Sequence, residues 1–145
     1  MKTAIIGIGN PLKKDDNIGN LIVDRLSKEI KDNNSIFVKA YLTPENYMQS
    51  LKKSKPKKIY FVDAVEFKGS TGEVKLFDLS EIILNNLTTH NIPITFYKDH
   101  FPKAEIKLIG IKVKETGFGE ELSKDIKDKF DAVFEKVKKI IFSGQ

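Results

Sequence analysis

The chain contains no cysteine, which excludes disulfides, thiolate catalysis and any Cys-based zinc or iron–sulfur site within it. Arginine is almost absent too: Arg25 stands alone among 25 basic residues. Histidine is nearly as scarce, so imidazole chemistry is confined to His90 and His100. No apolar run approaches the about 20 residues that span a bilayer, and membrane insertion is not expected. The opening MKTAIIGIGN has one lysine and no long apolar stretch before a cleavage region, which argues against a signal peptide. Walker, nucleophile-elbow and HExxH sequences are missing as well. These absences point to a cytoplasmic protein without a permanent soft-metal centre.

What is present suits a single globular domain over residues 1–145. Its hydrophobic fraction of 40% is spread along the chain, enough for one substantial core. The formal charge of +5 invites a nucleic-acid partner, but nearly all of it is lysine. Bidentate recognition of phosphate and guanine favours the guanidinium fork, so nucleic acid is not expected. The densest basic stretch, LKKSKPKK (51–58), reads as a solvated connector, with docking of an acidic partner as the sharper alternative.

Short apolar runs alternate with helical patterns. TAIIGIG (3–9), SIFVKAY (35–41), KKIYFVDA (57–64) and AEIKLIGIKV (104–113) read as strands, with EVKLFDL (73–79) as an edge strand. Ile18, Leu21, Ile22, Leu26 and Ile30 give helical spacing from Asp16 to about Ile30. Thr43-Pro44-Glu45 opens a short helix to about Lys53. Asp78-Leu79-Ser80-Glu81 has the spacing of a capping box for a helix through Leu87. A further helix is expected after the first few residues of 88–101, despite Pro93. Leu122, Ile126, Phe130, Phe134, Val137 and Ile141 form one face of a closing helix. The expected fold is an α/β three-layer sandwich: a mostly parallel, twisted sheet of about five strands with helices on both faces.

In such sheets ligands collect beyond the C-terminal strand ends, where Asn10, Asp15, Asp16 and Asp63 fall. The stretch GIGNPLKKDDNIG (7–19) allows three readings. A phosphate cradle fails on spacing, because the third glycine of a dinucleotide fingerprint is replaced by Leu12. An aspartate cap is sound, and stabilises a helix start by about 0.5–2 kcal/mol. It needs only one carboxylate, however. The third reading is the edge of a metal site. Asp63, after Ile-Tyr-Phe-Val, must be paired, capped or used. His90 lies in TTHN among capping residues; His100, in YKDHFP, reads as a loop or helix-end residue. Asp16, Asp63 and His90 come from three separate junctions that this topology brings to one rim. Two carboxylates and an imidazole suit a divalent first-row metal such as nickel, zinc or iron, and three protein ligands leave positions open for substrate.

These residues resemble the hydrogenase maturation endopeptidases, which trim the C-terminal tail from the large subunit of nickel–iron hydrogenases. GIGNPLKKDDNIG is similar to the family's GxGN…DDGxG opening, and IYFVDA to its strand ending in Asp-Ala. TTHNIP resembles the stretch carrying the family histidine in the formate-hydrogenlyase-type branch. IGIKVKETGFGEELS matches the closing strand, loop and helix start. The resemblance implies that Asp16, Asp63 and His90 are the metal ligands and the catalytic centre of an aspartic-type endopeptidase. It also implies that nickel arrives already installed in the large-subunit precursor, the expected partner of a chain that is monomeric when free. The usual glycine after the two aspartates is Asn17 here, a residue that tolerates left-handed backbone.

Peptidyl-tRNA hydrolases share the strand and GxGNP but carry a histidine where this chain has Asp16. A non-catalytic sensor of nickel loading is the remaining alternative. On the protease reading, nickel docks the tail across the GxGN loop and places the scissile peptide by proximity. The metal or its water then acts on the carbonyl, Asp15 orients its neighbour, and Gly117–Gly119 forms a mobile loop against substrate.

Overall fold

The computed structural model describes residues 1–85, 87 and 94–143. Five strands, β1 (Thr3–Ile8), β2 (Ser35–Tyr41), β3 (Lys58–Ala64), β4 (Val74–Asp78) and β5 (Glu105–Ile111), form one sheet in the order β2-β1-β3-β5-β4. The pairs β1/β2, β1/β3 and β3/β5 are parallel, and only β4 runs antiparallel, on β5. The three central strands are covered on both faces, which is why their sequences read as continuous apolar runs. The edge strands β2 and β4 are only partly buried.

Strand alternation divides the core in two. One face carries Ala4, Ile6, Ile59, Phe61 and Leu108. It is covered by α2 (Met48–Ser54), α3 (Leu79–Asn85) and α4 (Ile94–His100). The other carries Ile5, Tyr60, Val62, Ile109 and Ile111 beneath α1 (Ile18–Glu29) and α5 (Lys124–Phe142). The fold is therefore the expected α/β sandwich, with helices on both faces. The expected capping box forms reciprocally: Asp78 N–H donates to Glu81 Oε1 at 3.1 Å, and Glu81 N–H to Asp78 Oδ1 at 2.9 Å. Within the described part of 88–101, α4 begins at Ile94. Tyr97 pins it, with its hydroxyl donating to the Pro44 carbonyl at 2.6 Å and its ring set edge-on to Phe61. Burial raises the Tyr97 pKa above its ordinary value, with the Glu45 charge adding to the effect, so the phenol stays a donor.

The expected helix from Asp16 to Ile30 differs at its start. Residues Lys14–Asn17 form a 3₁₀ turn, and α1 proper begins at Ile18. Close packing forces this entry. A Cβ at Gly19 would lie 2.0 Å from the Val62 carbonyl oxygen and 2.6 Å from that of Ile8. Only glycine lets α1 press directly onto the ends of β1 and β3, which seats the preceding turn over the sheet edge.

Gly19→Ala is accordingly expected to destabilise the chain by about 1–3 kcal/mol, read as a lower denaturant midpoint. A midpoint equal to the parent's would show that the helix entry yields without cost.

Candidate active site

In the sheet order, the chain leaves β1 toward β2 on one side, while β3 lies on the other. This is a topological switch point, where ligands of open α/β sheets bind. Gly7 pairs with Val62, so the next residues along the two strands bring the end of β1 level with Asp63. Above these ends lies a cleft of about 380 Å³, whose wall includes Asn10, Asp16, Leu42, Ala64, Glu66 and Thr116. Lys13 and Glu66 put opposite charges on its wall, and Glu66 is ion-paired with Lys112.

Asp16 sits in the 3₁₀ turn and is 7% exposed. Its Oδ2 accepts the Asn10 N–H at 3.0 Å, which ties the GxGN loop back onto the turn. Gly9 makes that loop possible. Its φ is +148°, and a Cβ there would meet the Asp16 carbonyl oxygen at 2.1 Å. Asp63 is fully buried near the end of β3. By strand alternation it shares the face of Ile59 and Phe61, the side covered by α2, α3 and α4. The structure thus places Asp16 in a turn that packs on β3, and Asp63 near the end of that strand. His90 lies outside the described residues. Among the described residues, no group of three or more His, Cys, Asp or Glu is placed to hold a metal ion.

His100 does not join them. It ends α4 at the opposite edge of the sheet and lines a separate cavity of about 320 Å³ with Lys52, Lys55, Lys57 and Lys103. The basic stretch 51–58 is not the connector expected of it: Leu51–Ser54 form the second half of α2, Lys58 begins β3, and only residues 55–57 join them.

The capping reading of the two aspartates is corrected. Cap positions of the turn and of α1 fall on Lys13 and Asn17, neither of which makes a side-chain cap bond. Asp15 has a different task. It is fully buried and accepts four hydrogen bonds from the loop after β5. Lys114 N–H and Glu115 N–H donate to Oδ2 at 3.1 and 2.8 Å. Ser123 donates its N–H to Oδ1 at 2.7 Å and its hydroxyl to Oδ2 at 2.8 Å. Ser123 is also the N-cap of α5, accepting from Ile126 N–H. One carboxylate therefore ties the GxGN–DD segment to the loop 113–123 and to the start of the last helix. Backbone bonds continue the seam: Asp15 N–H to Glu115 O at 3.0 Å, Lys14 N–H to Gly119 O at 2.8 Å, and Gly119 N–H to Leu12 O at 2.9 Å. Gly117–Gly119, expected as a mobile loop, is fastened to the cleft wall at Gly119.

Asn17 does not take the left-handed conformation that its replacement of glycine suggested. Its φ is −85°, and Lys14 turns the chain instead, with φ +46°. The Asn17 side chain accepts from Asn20 Nδ2 at 2.8 Å. Asn20 also donates to the Gly9 carbonyl at 3.1 Å and accepts Tyr41 N–H at 3.2 Å, linking α1, the GxGN loop and the end of β2. Sequence reasoning missed Asn20 because its partners lie 11 and 21 residues away. Ser123 could have been found, since a serine directly before an amphipathic run is a cap signal.

Asp15→Asn keeps the size of the side chain but turns one acceptor into an N–H facing other donors. A loss of about 2 kcal/mol or more of unfolding free energy is expected, measured by denaturant titration. Parental stability would show that this carboxylate is dispensable.

Comparison with known proteins agrees with the fold. The family model described as HycI, hydrogenase maturation protease, matches residues 21–140. A Methanocaldococcus jannaschii protein whose name marks it as a candidate hydrogenase maturation protease is 35% identical over 127 residues, covering 81% of this chain and 75% of its own. The hydrogenase 3 maturation protease of Escherichia coli K12 is 25% identical over 140 residues, covering 94% and 89%. Among solved structures, the crystal structure of the [NiFe] hydrogenase maturation protease HycI from Thermococcus kodakarensis superposes with a TM-score of 0.81 at 30% identity, over 96% of this chain and 91% of that one. A family match over most of the chain and a shared fold together establish that this chain belongs to the hydrogenase maturation proteases.

Proposed function

We propose that this chain is an endopeptidase that removes the C-terminal extension of a nickel–iron hydrogenase large-subunit precursor once nickel is in place. The observation that carries this reading is the placement of Asp16 on the wall of a cleft of about 380 Å³, in a turn packed on β3, the strand near whose end Asp63 lies, in a member of the maturation protease family. Nickel enters as part of the substrate. Asp16 and Asp63 supply two oxygen donors to it, and His90 supplies the nitrogen. The segment containing His90 joins α3 to α4, both of which pack on the face that Asp63 shares. Carboxylate and imidazole donors suit a borderline ion that must be engaged and then released, whereas thiolates would retain it.

Engagement of the nickel fixes one point of the substrate. The cleft wall formed by the GxGN loop and residues 64–66 then holds the adjoining polypeptide, which makes the attack on the scissile peptide effectively intramolecular. The ion supplies Lewis acidity to the carbonyl or to a water. Asn10, bonded to Asp16 through its own N–H, keeps that carboxylate oriented. Family membership favours this reading over a peptidyl-tRNA hydrolase, whose histidine is replaced here by Asp16.

The test is incubation with nickel-loaded and nickel-free precursor, followed by intact mass. Loss of a C-terminal peptide from the loaded form alone is expected. Equal cleavage of both forms would remove nickel sensing, and release of peptide from peptidyl-tRNA would favour the esterase. Asp16→Asn and His90→Ala are each expected to lower the cleavage rate by about a hundredfold or more with an unchanged circular dichroism spectrum. Full activity in either variant would remove that residue from the site.

A further inference from the structure

The edge of the sheet opposite the cleft carries a second, strongly basic cavity. Its volume is about 320 Å³, within the range of about 300–1,000 Å³ usual for ligand sites. Two loops border it: 55–57, which leads from α2 into β3, and 101–104, which leads from α4 into β5. Because β3 and β5 run parallel, both loops enter the sheet at the N-terminal edge, about 20 Å from the strand ends beside the cleft. Lys52, Lys55, Lys57 and Lys103 line the cavity together with buried Pro56, Phe101 and Ala104.

The four lysines are exposed, and among the described residues none of their ammonium groups is in an ion pair, whereas Lys14, Lys39, Lys112 and Lys127 have acidic partners elsewhere. Residues 51–58 contain no acid, and Asp99 and Glu105 flank the second loop without lining the cavity. The backbone beneath this charge is fixed. Lys55 ends α2 with φ +51°, a left-handed conformation that side chains rarely take. Its N–H bonds to the Leu51 and Lys52 carbonyls at 3.2 and 3.3 Å. Lys57 N–H donates to the Lys2 carbonyl at 2.8 Å, and the Lys57 carbonyl accepts Glu105 N–H at 2.9 Å, which ties one loop to the other. The Lys98 ammonium closes the second loop by donating to the Ala104 carbonyl at 2.8 Å. Unneutralised charge thus stands on a base that a ligand need not order on binding.

The same bonds select the ligand. The N–H groups of Lys55, Lys57, Phe101 and Ala104 are spent on carbonyls, and Pro56 and Pro102 have none. These loops therefore offer no nest of N–H groups to wrap a phosphate, and no guanidinium fork to grip one. Phe101 is 7% exposed, so the cavity lacks the open ring face on which the bases of a single-stranded nucleic acid stack. Ammonium groups on flexible stems suit carboxylates spaced along a chain, and the apolar lining suits the carbons between them. We propose that this cavity docks an acidic segment of a protein partner. The partner is held at the edge away from the cleft, and the catalytic end stays open while it is bound.

The test is fluorescence anisotropy of a short dye-labelled peptide of alternating glutamate and glycine, titrated with the full chain. Lys52→Gln, Lys55→Gln, Lys57→Gln and Lys103→Gln combined are expected to weaken binding about tenfold or more. Lys68→Gln, Lys75→Gln, Lys136→Gln and Lys139→Gln combined remove the same charge from exposed positions elsewhere, and should change the affinity less than about twofold. If the first quadruple variant does not fold, Lys52→Gln with Lys103→Gln, one from each side of the cavity, should still weaken binding about threefold. Inorganic triphosphate and a single-stranded RNA matched to the peptide in charge are the rival probes. No binding of the peptide to the parent chain, equal weakening in both quadruple variants, or tighter binding of triphosphate or RNA through these lysines would overturn the assignment. Each of these results leaves the protease reading to its own cleavage assay.

Discussion

A carboxylate removed from water must have its charge answered by hydrogen-bond donors, and Asp15 has four of them, all from one loop and helix start more than 95 residues downstream. That constraint organises the functional end of the molecule. It holds the turn carrying Asp16 against the loop 113–123, so two segments that would otherwise be independent connections after β1 and β5 become one wall. The glycine contacts complete the arrangement from below. Gly9 and Gly19 allow backbone to touch backbone at the ends of β1 and β3, and Asp16 is thereby fixed over the sheet edge rather than on a free loop. The two consecutive aspartates divide the work: Asp15 faces inward as a clamp, and Asp16 faces the cleft.

Much of the fold was legible because the central strands are buried on both faces. TAIIGIG, KKIYFVDA and AEIKLIGIKV have no polar alternation to confuse with a helix, and their ends fall within two residues of the observed strands. The capping box at Asp78 and Glu81 was equally readable, being local in sequence and in space. The closing helix was legible, but Leu122, expected on its apolar face, lies before the Ser123 N-cap; Phe130 packs only partly against the core and Val133 takes a fully buried place. What could not be read was long-range. Nothing near Asp15 indicates donors at Lys114, Glu115 and Ser123, and nothing near Asn20 indicates Tyr41. The turn at Asp16 departs from the helix that local spacing predicts for the same reason: Gly19 packs against Val62 and Asp15 bonds to the loop after β5, both contacts distant in sequence.

The candidate site was legible in outline for a different reason. Parallel α/β topology sends every strand's C-terminal end to one edge, so a carboxylate after an apolar run is placed near other such residues before any coordinates are known. Asp63 lies near the end of β3 as that rule predicts, and Asp16 lies in the turn between β1 and α1. Asn17 does not conform to the expectation attached to it, because Lys14 supplies the positive φ and leaves Asn17 in a right-handed conformation.

The central claim is that the carboxylates of Asp16 and Asp63 and the imidazole of His90 converge on a single ion. Anomalous diffraction at the nickel edge, from crystals of this chain soaked in a nickel salt, tests it most directly. Peak density within about 2 Å of oxygens of both Asp16 and Asp63 and of a His90 ring nitrogen is the expected result. Nickel bound elsewhere with that position empty, or bound there without His90, would contradict it.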